Sequence, residues 1–165
     1  MRYNKCMNKL YLDMDGVLAD FDAYYSKIPA ESGDASRFTS AVFDYKIFEQ
    51  LKPMPDALEL LKFVATLDVT VEILTSVNTY DYKQGTEAML QKRRWLLRNN
   101  IEYKANFVCS MEEKSKYACQ CCVLVDDSIG CIEPFKKRGG VGILHTNAID
   151  TIKKLETVIG VKNYA

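Results

Sequence analysis

A chain of 165 residues, 48% of them apolar, can bury about 70% of its unfolded surface around one core without staples. Its 22 acidic and 22 basic residues cancel, and they leave no basic stripe of the kind an extended nucleic acid requires. No apolar run approaches a membrane span, and the opening MRYNKCMNK carries no signal-peptide segment, so a cytoplasmic location is expected. In that compartment Cys6, Cys109, Cys119, Cys121, Cys122 and Cys131 are expected to stay reduced. The cluster from Cys119 to Cys122 offers a single C-x2-C pair, and no second pair or histidine cluster completes a zinc site.

In chain order, KLYL (9–12) reads as a short buried strand, followed by Asp13 and Asp15 with Gly16 turning the backbone away. Two carboxylates at the mouth of a buried strand are costly unless a cation or substrate uses them. A surface turn closing the strand is the plainer alternative. From Val17 to Met54 no strand pattern is present. Phe21, Tyr24, Tyr25 and Ile28 fall at helical spacing, as do Phe38, Val42, Tyr45 and Phe48, with the turn-rich IPAESGDASRF between them. Two helices forming a small cap (about 17–53) are expected beside the aspartates, with Asp20 and Asp22 as solvated hinge residues.

Beyond Pro55 the pattern becomes regular. Leu58, Leu61, Phe63 and Val64 mark a helix, and VTVEILTS (69–76) marks a buried strand ending in Thr75-Ser76. A polar loop, Val77–Gly85, leads to a helix with Met89, Leu90, Trp95, Leu96 and Leu97 inward. Lys92, Arg93, Arg94 and Arg98 are assigned to its wet side. A strand at Ala105–Cys109, the segment EEKSKYA, and a strand at Cys122–Val125 ending in Asp126-Asp127 follow. A helix (Ile129–Arg138), a strand (Val141–Leu144) and a last helix (Ala148–Ile159) close the chain. Gly139–Gly142 precedes a strand and so reads as a helix stop, not a dinucleotide loop. His145 reads as a structural loop histidine.

Strands alternating with helices predict one α/β domain over residues 1–165, with core 1–16 and 54–165. Its core is a Rossmann-like parallel five-stranded sheet flanked by helices, with right-handed crossovers. Ligands of such sheets bind outside the carboxyl ends of the strands. Asp13 and Asp15, Thr75-Ser76, Lys114 and Asp126-Asp127 are all assigned to that edge, which makes coincidental turn chemistry a poor account of them. Phosphate-ester hydrolysis fits the set: the uncatalysed reaction is so slow that accelerations reach ~10²¹, and charge stabilisation must be extensive. Asp13 is the candidate nucleophile. Mg²⁺, a hard cation, suits Asp13 with Asp126 and Asp127. Thr75 or Ser76 can donate to phosphoryl oxygens, Lys114 adds positive charge, and Asp15 can act as acid and then base.

DMDGVLAD, ILTS, EEKSKYA and LVDD, in this order and spacing, resemble the four motifs of the haloacid-dehalogenase-like (HAD) hydrolase superfamily. With PMPDALELLKFV, KRRWL and IEPFKKRGGVGILHT, the chain most resembles the 5′(3′)-deoxyribonucleotidase branch and its short bacterial and phage relatives. The resemblance implies an Mg²⁺-dependent phosphatase acting on small nucleoside monophosphates. It implies Asp13 as nucleophile, a metal contact from the Asp15 backbone carbonyl, Thr75 and Lys114 at the phosphate, and Phe21 packing on the base. Lys116 rivals Lys114, although the spacing to the acidic pair fits Lys114 better. The base-holding aromatics of the better-known nucleotidases have no clear counterpart among Phe38, Phe43, Tyr45 and Phe48. Alternatives are a phosphatase for sugar phosphates or 3′-phosphate nucleic-acid ends, and a non-catalytic phosphate-binding module. A response-regulator receiver would need the acidic pair and the phosphorylated aspartate in the reverse order.

Overall fold

The computed structural model describes residues 7–30 and 33–160; Cys6 and the Glu31-Ser32 pair of the expected cap loop lie outside these. Five strands, β1 (Lys9–Leu12), β2 (Thr70–Ser76), β3 (Lys104–Val108), β4 (Cys122–Asp126) and β5 (Val141–Leu144), form one sheet in the order β3-β2-β1-β4-β5. All four pairings are parallel, as the helical connections demand. β1 is central, and the strand order reverses between its two neighbours, which opens a crevice at its carboxyl end.

The pleat of β1 divides the core. Leu10 and Leu12 face one side with Trp95, Leu60, Val64 and Leu155, while Tyr11 faces the other with Ile132 and Phe135. Helices α4 (Ala57–Val64), α5 (Tyr82–Arg98) and α7 (Ala148–Ile159) cover the first side, and α6 (Ile129–Lys137) covers the second. Gly139 ends the α6 turn at φ +90, and a side chain at Gly140 would meet the Phe135 ring. The glycine run is thus a helix stop with close packing.

Several local expectations change. The insert holds three helices, α1 (Phe21–Tyr25), α2 (Asp34–Phe43) and α3 (Ile47–Gln50), instead of two. Lys46 takes a left-handed conformation (φ 49), which breaks the helix between Val42 and Phe48 and leaves Tyr45 exposed. The loop after β2 is shorter than expected because Asp81 caps α5 by accepting from the Gln84 N–H (2.7 Å). Leu90 and Leu97 are exposed, as is Leu58 on α4, whereas Gln84, Gln91 and Lys92 are buried. α5 buries a stripe under the insert as well as against the sheet, and that stripe carries these polar groups.

Cys119 and Cys122 are joined in a disulfide, against the expectation of reduced thiols. The Cys122 N–H donates to the Cys119 carbonyl, and the turn so closed sets the two Cα atoms 5.1 Å apart. Cys109, Cys121 and Cys131 are free. Among the described residues no helix is long and apolar enough to cross a membrane.

Candidate active site

Strand register assembles the site. Leu12 lies opposite Ile73 and Val125, so Asp13 and Asp126 emerge side by side, with the Asp13 N–H donating to the Val125 carbonyl (2.9 Å). Gly16, at φ +76, then turns the chain away, and a β-carbon there would overlap the Asp127 carboxylate. The Leu18 and Ala19 amides both donate to the Met14 carbonyl, closing the loop tightly. The insert returns beside its own exit, through Asp20 N–H to Lys52 O and Met54 N–H to Leu18 O.

A cavity of about 390 Å³ opens at this edge, and every candidate residue lines it: Asp13, Asp15, Phe21, Thr75, Ser76, Lys114, Asp126 and Asp127. Asp13, Asp126 and Asp127 each offer an oxygen, all within 4.8 Å of one another. The buried Lys114 ammonium bridges Asp13 Oδ1 (2.8 Å) and Asp126 Oδ2 (2.7 Å). Lys114 sits on a short 3-10 helix, Glu112–Tyr117, whose next lysine, Lys116, points to solvent and pairs with Glu113. The rivalry between the two lysines is therefore resolved in position, with Lys114 inward.

Three clustered carboxylates against one ammonium leave excess negative charge. Burial, with the added repulsion of Asp13, pushes Asp126 up to about 6; Asp127, exposed at the rim of the cluster, is pushed up to about 7 by partial desolvation with repulsion from Asp13 and Asp126. Burial alone would lower the Lys114 ammonium, but Asp13 and Asp126 outweigh it and hold the group above its ordinary range. Hard oxygens, close spacing and unbalanced charge fit a divalent cation such as Mg²⁺. The Asp15 carboxylate stands outside that trio and faces another lysine.

That lysine is Lys92. It is fully buried, and its Nζ donates to Asp15 Oδ2 (2.6 Å), Thr75 Oγ1 (2.7 Å) and the Ser76 carbonyl (2.9 Å). Its expected wet-side position is wrong. The signal was legible in the spacing, since Lys92 falls four after Ala88 and three before Trp95 on the apolar stripe. Burial raises the Asp15 carboxyl, and Lys92 opposes that shift. The Ser76 hydroxyl is occupied, donating to Asn78 Oδ1 and accepting from the Asn78 N–H. Thr75 is thus the freer of the two hydroxyl candidates.

Phe21 stacks with Tyr25 (5.0 Å between centroids) and Phe48 (5.8 Å) at the cavity wall. Asp20 and Asp22 also line the cavity, and Asp20 caps α1 through the Ala23 N–H. His145 lines it too; its Nδ1 pairs with Thr151 Oγ1, while buried Nε2 has no partner among the described residues. Cys131 is buried at the cavity wall, where burial pushes its thiol up to about 12 and makes it a poor nucleophile.

Solved structures with this architecture span almost the whole chain. A dehalogenase matches with a TM-score of 0.60 at 11% identity, covering 94% of this chain and 98% of that one. A hydrolase from Streptococcus pneumoniae matches with a TM-score of 0.55 at 12% identity, covering 92% and 99% respectively. The D,D-heptose 1,7-bisphosphate phosphatase of Burkholderia thailandensis matches with a TM-score of 0.54 at 12% identity, covering 90% and 97%. The chain has a HAD-like fold. No family model matches the sequence, and no curated protein does. At these identities the HAD-like neighbours speak for the fold, and the chemistry has to be argued from the site.

Proposed function

We propose that this protein is an Mg²⁺-dependent phosphomonoester hydrolase working through an aspartyl-phosphate on Asp13, with 5′-nucleoside monophosphates as its substrate class. The observation that carries the reading is the convergence of Asp13, Lys114 and the Asp126-Asp127 pair at the end of the central strand, with Asp15 held separately by Lys92. Asp13, Asp126 and Asp127 would hold the cation, which when bound neutralises carboxylate charge and polarises the phosphoryl group.

Both described contacts of the Asp13 carboxylate, from the Met14 N–H (2.7 Å) and from Lys114, fall on Oδ1. Oδ2 is left to attack phosphorus. As the new bond forms, the ester P–O bond breaks, and its electron pair passes to the leaving oxygen, which takes a proton from Asp15. Lys114 and the Thr75 hydroxyl offset charge on the equatorial oxygens. Water then attacks phosphorus and gives its proton to Asp15, and the Asp13 carboxylate is released with free phosphate. The second acid, Asp15, favours phosphate-ester cleavage because an alcohol leaving group needs the proton.

The nucleotide class rests on the motif resemblance and on Phe21 at the cavity wall. The insert 17–53 would act as a small cap over the core. Phosphate release from a panel of nucleoside monophosphates and sugar phosphates, with and without Mg²⁺, tests the reading. Metal-dependent release that Asp13→Asn abolishes is expected. A panel without nucleotide preference would remove the substrate class, and no release from any ester would remove the activity.

A further inference from the structure

Resting on that phosphomonoesterase reading, we infer that Asn78 is a specificity-determining residue. Its carboxamide N–H groups donate to an acceptor atom on the leaving group, so the site favours esters whose alcohol carries a ring or carbonyl oxygen. Asn78 lies two residues beyond the end of β2, is exposed, and lines the cavity. The Ser76 hydroxyl accepts from the Asn78 backbone N–H (3.0 Å) and donates to Asn78 Oδ1 (2.9 Å). That interlock uses the hydroxyl hydrogen and occupies the amide oxygen. Nδ2 keeps two donors with no hydrogen bond among the described residues.

The backbone fixes where that amide stands. Asn78 takes a left-handed conformation at φ 54, which Asn tolerates better than most side chains. The loop is tied on both sides of it. The Val77 N–H donates to the Val108 carbonyl (2.8 Å), and the Asp81 N–H donates to Thr79 Oγ1 (3.1 Å) before Asp81 caps α5. Glycine would satisfy such a turn equally well, so the turn does not by itself call for a carboxamide bonded to Ser76. A donor already held in place loses little freedom when a ligand meets it.

Depth decides which part of the substrate it meets. Asp13, Thr75 and Lys114, the groups that would act on phosphorus and its oxygens, are all buried. Asn78 is exposed, as are Asp22 and Met111 on the same cavity. A phosphoryl group seated on the buried cluster therefore leaves its alcohol portion at the level of Asn78. The Asp20 and Asp22 carboxylates lining that cavity only accept, and Phe21 offers an apolar face. A neutral acceptor on the leaving group is matched there by the Asn78 amide, and an ester lacking the acceptor gains nothing from it.

The test compares two esters of primary alcohols. One is the nucleotide or sugar phosphate that the wild-type protein cleaves best; the other is cyclopentylmethyl phosphate, whose alcohol portion has no acceptor. Asn78→Gly keeps the left-handed backbone and removes the amide. It should lose about 10-fold in kcat/KM on the first ester and less than about 3-fold on the second. Equal losses on both would place Asn78 at the phosphoryl group or in the fold, and no loss would leave the amide without a role; either overturns the inference. Asn78→Asp, which also tolerates the turn, keeps the shape without the donors, and its ratio between the two esters should fall at least as far. A ratio unchanged in Asn78→Asp overturns the inference as well, whatever the glycine variant does. Wild-type protein that cleaves no ester would instead strike down the phosphomonoesterase reading, and this inference with it.

Discussion

Lys114 and Lys116 stand two residues apart on the same 3-10 helix and have opposite surroundings. Lys114 is buried between Asp13 and Asp126, while Lys116 reaches solvent beside Glu113. A lysine aimed at developing phosphoryl charge contributes through preorganisation, so Lys114→Met should reduce kcat/KM by about 10²–10³-fold. Lys116→Met should leave kcat/KM and the melting temperature unchanged, since an exposed pair contributes little. Measuring both variants side by side decides the assignment: loss at Lys116 with retention at Lys114 would reverse it. Both lysines were visible in EEKSKYA, and spacing favoured Lys114, the one that the structure buries. Lys92 was misplaced because a lysine on a helix is ordinarily solvated, and only its partners, 17 and 77 residues away, justify burying it.

At the scale of elements, α5 fastens the insert to the core through polar contacts that the hydrophobic pattern does not encode. Gln91, fully buried, donates from Nε2 to the Val42 carbonyl (2.8 Å) and accepts at Oε1 from the Phe48 N–H (3.3 Å). Trp95 donates to the Leu51 carbonyl (2.8 Å), and Arg98 reaches the Glu49 carbonyl. Gln91→Leu would keep the volume and strand two backbone groups, one from each of α2 and α3. At about 1–3 kcal/mol for each buried unsatisfied group, unfolding stability should fall by about 2 kcal/mol or more. Urea denaturation measures this, and an unchanged midpoint would mean the insert is held by apolar packing alone. The same contacts explain why two helices were expected and three found. Short segments fixed by partners on α5 need no long periodic stripe of their own.

For the whole molecule, the balance of charge at the sheet edge couples folding to pH and metal. Asp126 and Asp127, pushed up to about 6 and about 7 from an ordinary 3.8, favour their neutral forms in the folded state. Their contribution to stability is complete below about pH 4 and is lost as pH rises through those values, while Lys114 stays charged. Metal-free protein should therefore melt at progressively lower temperature between roughly pH 5 and pH 8. Mg²⁺ at about 100 times its Kd should add about 2.7 kcal/mol and flatten the decline. A scanning-calorimetry series with EDTA and with Mg²⁺ tests this, and a pH-independent melting temperature without metal would contradict it.

The order of strands and helices, and the acids and hydroxyls ending β1, β2 and β4, were legible along the chain, because hydrophobic period and strand-end chemistry are local properties. The fold class follows from that reading, and the eight candidate residues, Phe21 among them from the motif resemblance, line one cavity. Contacts between distant segments could not be read the same way. The central place of β1 brings Asp13 beside Asp126, and the burial of α5 under the insert turns Lys92 toward Asp15 and Thr75. The turn at Cys119–Cys122 closes a disulfide that composition had argued against. A buried charge or polar side chain is tolerated only where partners from other elements satisfy it, and a linear sequence does not state which partners those are.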